Sequence, residues 1–150
     1  MTSTAQLIGT IEDNILALIL RANRARIYDQ LMRGANVNLA RALYPVLSAT
    51  SAIGPARVSE IAEAVSINPT TISRHLTALE ASGLVKRSSS DADGRAAVVE
   101  LTPAGQQMIR ELRAARTRIF TSLLADFNDT DLERFGQYLN RLVQAFTEQV

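Results

Sequence analysis

The residues best suited to specific chemistry lie in the segment from Asn68 to Gly83. Asn68 followed by Pro69 predicts a helix start, because the Asn side chain can cap a free amide and Pro lacks one. If the apolar residues of this helix face a core, small hydroxyl side chains and one arginine remain on the opposite side. These outward residues are Thr70, Thr71, Ser73, Arg74 and Thr77. Hydroxyls and a guanidinium on such a face can hydrogen-bond to base edges in the major groove of double-stranded DNA.

The same face could also belong to an ordinary amphipathic helix with a solvated side, so the flanking elements must decide. A short helix is predicted over 59–65, and the helix over 69–82 ends at Gly83, a residue typical of left-handed helix stops. Two short strands, 84–87 and 97–101, follow as a hairpin with a polar connection. Helix, turn, helix and hairpin in this order form the winged helix-turn-helix plan, which favours DNA binding.

The hairpin adds cations to the predicted DNA-binding set. Arg95 lies at its polar tip, where a cation can enter the minor groove. Asp93 can orient Arg95; a solvated loop in which the two merely form an ion pair is a compatible alternative. Lys86 and Arg87 precede the tip. Because neighbouring strand residues point to opposite faces, we expect only one of these two to meet a phosphate.

The remaining segments predict further helices. The first runs from Ala5 to about Arg33, the second covers about 39–52, and two more run from 103 to about 125 and onward from about 130. Pro45 inside the second indicates either a kink or a helix that begins at Pro45.

The first and last helices carry broad apolar faces that a chain of 150 residues cannot cover alone, which predicts a homodimer. The predicted fold class is therefore mainly α with a small β-hairpin wing: a winged helix-turn-helix flanked by N- and C-terminal dimerisation helices. We expect a single domain, 1–150, with a DNA-binding lobe at 37–104 and dimerisation helices at 1–36 and 105–150.

Composition argues against several functional classes. The chain has no cysteine, which excludes disulfides and thiol chemistry, and one histidine, His75, which we place at the edge of the apolar face as a packing residue. No metal site, nucleophile–base pair or glycine-rich phosphate loop is recognisable, so neither an enzyme nor a cofactor is expected. No segment has the length of a membrane span or the pattern of a secretory signal, so we expect a cytoplasmic protein without a membrane partner. The aromatic residues all lie outside 57–104, which disfavours stacking on single strands.

Charge gives little support to nucleic-acid binding. The net charge is +1, and residues 57–95 hold as many acidic as basic side chains. Attraction to DNA must therefore come from where the charges point. This balance keeps open an alternative, a winged-helix module that binds protein rather than DNA.

Together these motifs resemble the multiple-antibiotic-resistance-regulator (MarR) family of bacterial winged-helix repressors, over roughly residues 37–125. The residues that carry the resemblance are Ile61-Ala62-Glu63, Thr71-Ile72-Ser73-Arg74-His75-Leu76, Leu79-Glu80, Gly83-Leu84-Val85, Asp93-Gly94-Arg95 and Leu101-Thr102-Pro103-Ala104-Gly105. The resemblance implies a homodimer clamped by the first and the last two helices on a pseudo-palindromic operator. It further implies repression, often relieved by a small aromatic or lipophilic ligand.

Residue by residue, the resemblance implies Thr70, Thr71, Ser73 and Arg74 in the major groove and Arg95 at the wing. Near the helix junctions, Tyr44 and Arg24 are the candidate ligand-binding residues. The sequence departs from the family pattern at two points. Gly94 stands where a second basic residue is usual, and Pro45 interrupts a helix that is normally continuous. The absence of cysteine excludes the thiol-based peroxide sensors of the family.

Overall fold

The computed structural model describes residues 3–89 and 97–148, and in these ranges it has seven helices and three strands. The helices are α1 (Thr4–Ile19), α2 (Arg21–Ala35), α3 (Tyr44–Ile53), α4 (Val58–Val65), α5 (Pro69–Ala81), α6 (Pro103–Leu123) and α7 (Asp129–Glu148). The strands are β1 (Ala56–Arg57), β2 (Val85–Ser89) and β3 (Ala97–Leu101). The mainly helical class with a small β wing is confirmed. Among the described helices, none combines the length and the apolar content that crossing a bilayer requires.

Two compact units make up the chain, residues 1–115 and residues 116–150. The first contains α1 to α5, the sheet and the beginning of α6. Its core consists of fully buried aliphatic side chains from the helices and the sheet, among them Leu47, Ile61, Ile72, Leu76, Leu79, Val99 and Leu112. The second unit contains the end of α6 and all of α7.

The sheet has the strand order β1-β3-β2, with antiparallel pairing throughout. β2 and β3 form the predicted hairpin, in which Val85 pairs with Leu101 and Ser89 with Ala97. β1 pairs Ala56 with Val99. The sequence did not predict β1, because two residues are too few to show a period-two pattern.

Local signals at both ends of α5 act as predicted. The Asn68 side-chain oxygen accepts the amide proton of Thr71 at 2.9 Å. At the other end Gly83 has a φ of 71°, in the left-handed region, and the Leu84 amide donates to the Leu79 carbonyl at 2.9 Å. This 6→1 hydrogen bond satisfies a helix carbonyl and turns the chain directly into β2.

The prediction of a single helix from Ala5 to Arg33 is wrong. The helix is interrupted at Leu20, whose backbone is extended with a ψ of 136°. The Leu20 carbonyl starts α2 by accepting the amides of Asn23 and Arg24 at 3.1 Å. The Asn23 side chain donates back to the Ala17 carbonyl in the last turn of α1. Side-chain hydrogen bonding by Asn thus stabilises the break, although neither glycine nor proline marks it.

Residues of the first turn define the starts of two other helices, α3 and α7. α3 begins at Tyr44 with Pro45 in its first turn, so of the two predicted alternatives the later start is confirmed. The last helix begins at Asp129, close to the start expected near 130, and is capped by Asn128. The Asn128 side-chain oxygen accepts the Asp131 amide at 2.9 Å, and its NH2 group donates to the Asp131 carboxylate at 2.8 Å.

The start of α6 lies against the end of α5. The Thr102 hydroxyl donates to the Gly83 carbonyl and accepts the Gly105 amide at 3.1 Å. A Cβ atom at Gly105 would lie 2.0 Å from the Leu84 carbonyl oxygen, which is far inside van der Waals contact. Glycine at this position therefore permits the close approach of the two backbones.

We expect Gly105→Ala to destabilise the fold by about 1–3 kcal/mol or more, because backbone must move to admit the methyl group. Denaturant unfolding at fixed protein concentration measures this. Gly136→Ala is the matched control: nothing lies within 4 Å of its Cβ position on α7. That change should leave stability unaltered or raise it by about 0.5–1 kcal/mol. A Gly105→Ala protein as stable as the wild type would contradict the packing described.

Candidate nucleic-acid interface

The outward face of α5 holds the five residues that the sequence predicted there. Thr70, Arg74 and Thr77 are exposed, whereas Thr71 and Ser73 are half-buried at the margins. The opposite side is sealed, because Ile72, Leu76 and Leu79 are each 0% exposed. The structure therefore brings short hydroxyl side chains and one long cation together on a surface open to solvent.

Arg87 of β2 lies across this helix. Its Nη2 donates to the Ser73 carbonyl at 3.3 Å and to the Thr77 hydroxyl at 3.2 Å. Its Nε forms an ion pair with the Glu80 carboxylate at 3.5 Å. The Thr77 hydroxyl in turn donates its proton to the Ser73 carbonyl at 2.9 Å. The Thr77 hydroxyl thus donates its proton to Ser73 and accepts one hydrogen bond from Arg87. One lone pair of its oxygen is left to accept a hydrogen bond from a ligand.

Lys86 points elsewhere. Its Nζ lies 3.0 Å from the Glu100 carboxylate, and Glu100 is its pairing partner on β3. The two adjacent cations thus have different partners, as expected when neighbouring strand residues alternate between faces. The Lys86 side chain is 59% exposed, so its ion pair with Glu100 is accessible to water.

The tip of the hairpin lies outside the described residues, and with it Asp93, Gly94 and Arg95. The roles predicted for Asp93 and Arg95 therefore stay predictions. His75 is half-buried, as expected of a packing residue. Its Nδ1 is buried with no hydrogen-bond partner among the described residues. The described part of the chain holds no group of three or more acidic or histidine side chains arranged for a metal ion.

A second polar cluster lies where α2 meets the start of α3. Tyr44 is half-buried and contacts the edge of Tyr28, with ring centroids 6.2 Å apart. The Arg41 guanidinium lies 5.5 Å from the centroid of the Tyr28 ring and 3.3 Å from the Asp29 carboxylate. Of the two predicted ligand-binding residues, Tyr44 belongs to this cluster, whereas Arg24 is exposed on α2.

Sequence reasoning missed Tyr28 and Arg41, although Tyr28 follows Arg24 by one helical turn. The Tyr28 hydroxyl donates to the Leu39 carbonyl. Burial raises the pKa of this hydroxyl, and the nearby Arg41 guanidinium opposes the shift. The hydroxyl therefore remains protonated and keeps its donor role at neutral pH.

The second unit contains an open hollow of about 630 Å³. Its lining is mainly apolar: Phe120, Leu124, Ala125, Phe127 and Leu132, with Arg116, Thr117 and Thr121 as polar members. The Phe127 ring also contacts Phe135 of α7, with centroids 6.1 Å apart.

Comparison with known proteins identifies the family. Residues 39–97 match the model of the MarR family. The uncharacterized HTH-type transcriptional regulator YxaD of Bacillus subtilis (strain 168) is 34% identical over 111 residues, which are 74% of this chain and 78% of that protein.

Solved structures show the same fold. A MarR family protein from Bacillus stearothermophilus superposes with a TM-score of 0.83 at 20% identity, over 97% of this chain and 99% of the other. Wild-type apo MarR from E. coli gives a TM-score of 0.67 at 15% identity, over 95% and 97% of the two chains. The chain belongs to the MarR family of helix-turn-helix transcriptional regulators, which bind DNA and are not enzymes.

Proposed function

We propose that this protein represses transcription as a homodimer bound to a pseudo-palindromic operator, and that a small aromatic or lipophilic ligand releases it. The observation that carries the proposal is the orientation of α5. Its apolar residues are fully buried, while Thr70, Arg74 and Thr77 face solvent. A helix that presents short polar side chains and an arginine can enter the major groove and reach base edges.

The contacts divide by chemistry. Arg74 reads a base, most favourably guanine, while Thr70, Thr71 and Ser73 contact base edges or phosphates. Of Lys86 and Arg87, Arg87 is the one that meets a DNA phosphate, because it lies against α5, whereas Lys86 lies on the side of Glu100. Arg95, oriented by Asp93, enters the minor groove from the wing. In this assignment residues 37–104 form the DNA-binding lobe of one domain.

The dimer follows from apolar surface that neither unit buries by itself. On α7, large side chains recur along one face and remain exposed, including Tyr138 at 62% and Phe146 at 60%. On α1, which has no buried residue, Leu7, Ile11 and Leu18 are each more than half exposed. A second copy would cover these faces, with residues 1–36 and 105–150 as the dimerisation helices. Two α5 helices would then lie one DNA turn apart, roughly 34–36 Å.

Release requires a ligand that binds one arrangement of the dimer better than the other. The second polar cluster, of Tyr28, Tyr44 and Arg41, offers two aromatic rings and the Arg41 guanidinium to an aromatic ligand. Arg24 lies on the same helix as Tyr28. We assign ligand binding to this cluster. We also propose that the protein is cytoplasmic, in the same compartment as the DNA that it controls.

Selection of random duplexes by the purified protein, at two salt concentrations, tests the proposal. A palindromic consensus and an affinity that falls steeply with salt are the expected results. A failure to enrich any duplex would overturn the proposal and would favour a protein-binding module.

We expect Arg74→Ala to weaken binding to the selected duplex by about 1–3 kcal/mol and to relax the preference at one position of each half-site. Fluorescence anisotropy with the labelled duplex measures the loss. Arg110→Ala removes an exposed arginine from α6 and serves as the matched control, with little effect expected. Equal losses for the two variants would mean that charge alone, and not the α5 face, accounts for binding.

We expect Leu139→Glu to separate the dimer, because a carboxylate in the middle of an apolar interface loses its hydration without gaining a partner. Light scattering should give the wild type twice the 16.3 kDa mass of the chain, and the variant a mass closer to that of one chain. Gln144→Glu adds the same charge to another exposed side of α7 and should leave the dimer intact. A wild-type mass of one chain would rule out the dimer.

A further inference from the structure

Glu80 is a carboxylate in an unfavourable place. It is exposed in the last turn of α5, where the negative end of the helix dipole repels an anion. It also follows Ser73 and Thr77 at helical spacing, so all three share the margin of α5 that faces β2. On a helix that approaches phosphates, a carboxylate also weakens binding. A role that outweighs both effects would account for its position.

That role lies in its contact with Arg87. The guanidinium is held at three points on α5: its Nε meets the Glu80 carboxylate at 3.5 Å, and its Nη2 meets the Ser73 carbonyl and the Thr77 hydroxyl at 3.3 and 3.2 Å. Two of its nitrogens are therefore engaged with the helix. In the contacts given by the described residues, Nη1 is the nitrogen left to donate to a ligand.

We propose that Glu80 is a positioning residue: it fixes Arg87 against α5, so that the Nη1 edge of Arg87 meets one particular DNA phosphate while Arg74 reads its base. This inference rests on the proposed function. Thr77 and the Ser73 carbonyl then serve mainly as anchors for Arg87 and only secondarily as DNA contacts.

Fixing a cation affects specificity more than affinity. A mobile arginine can follow a phosphate on any duplex, so it contributes equally to all sequences. An arginine that is held in place contributes fully only when the helix has docked in the register that also satisfies the base contacts. Glu80 is thus expected to raise the preference for the operator over other DNA, although its own charge repels both.

A double-mutant cycle tests the assignment. The proteins are the wild type, Glu80→Ala, Arg87→Ala and the double variant. The probes are the strongest duplex that the wild type selects from a random pool and a scrambled duplex of the same composition. We expect Glu80→Ala to lower the ratio of the two affinities roughly 3- to 10-fold, the size of coupling usual for residues in contact. In the Arg87→Ala background the same change should have no effect on the ratio.

Glu63→Ala is the matched control, since it removes an exposed carboxylate from α4 in the same lobe and should leave the ratio unchanged. Melting temperatures of all variants show whether each protein is folded at the assay temperature. A merely structural role for Glu80 would lower the ratio equally with and without Arg87. A merely repulsive role would strengthen binding to both duplexes alike. Either result overturns the inference.

The cycle also separates this inference from the proposed function. If the wild type binds no duplex, both fail together. If the wild type binds its selected duplex and Arg74→Ala weakens it, but the cycle shows no coupling between Glu80 and Arg87, only the positioning role is lost.

Discussion

The rotation of α5 about its own axis is the constraint on which the rest of the structure depends. Ile72, Leu76 and Leu79 are completely buried, and each contributes about 1.5–3 kcal/mol relative to an exposed position. Turning the helix by one residue would expose part of this set and carry Arg74 toward the core. The polar face therefore points outward because the apolar face cannot. The Asn68 cap and the turn at Gly83 fix where that face begins and ends.

Much of the fold could be predicted because its determinants are local. An N-cap with Pro after it, a glycine stop and helical spacing identify α5 within a residue or two, and two short strand-like runs joined by a polar stretch identify the hairpin. The failures have equally specific causes. The break at Leu20 depends on a side-chain hydrogen bond from Asn23 to a carbonyl, which competes with the helix without a glycine or proline to signal it. β1 is stabilised by pairing with β3, a long-range contact that cannot be predicted from the two residues of β1.

The candidate site, too, could be predicted only in part. Which residues of α5 face outward follows from a period of 3.6, so the sequence was sufficient. The three contacts of Arg87 with α5 could not be predicted. Arg87 lies on β2, and only the folded sheet determines which residue of β2 lies against the helix. The cluster of Tyr28 and Arg41 depends likewise on how α2 meets the chain before α3. The roles of Arg95 and Asp93 remain predictions that rest on the sequence pattern and on the family.

The most direct measurement of the central claim uses the absence of cysteine from the chain, because a single introduced thiol can be followed alone. Thr70→Cys places a thiol on the exposed face of α5, and Gln107→Cys places one on the exposed side of α6. Without DNA both should react rapidly with a maleimide. With the selected duplex bound, reaction at position 70 should slow markedly while reaction at 107 is unchanged. A position 70 thiol that reacts as fast in the complex as in the free protein would contradict the outward, DNA-facing orientation of α5.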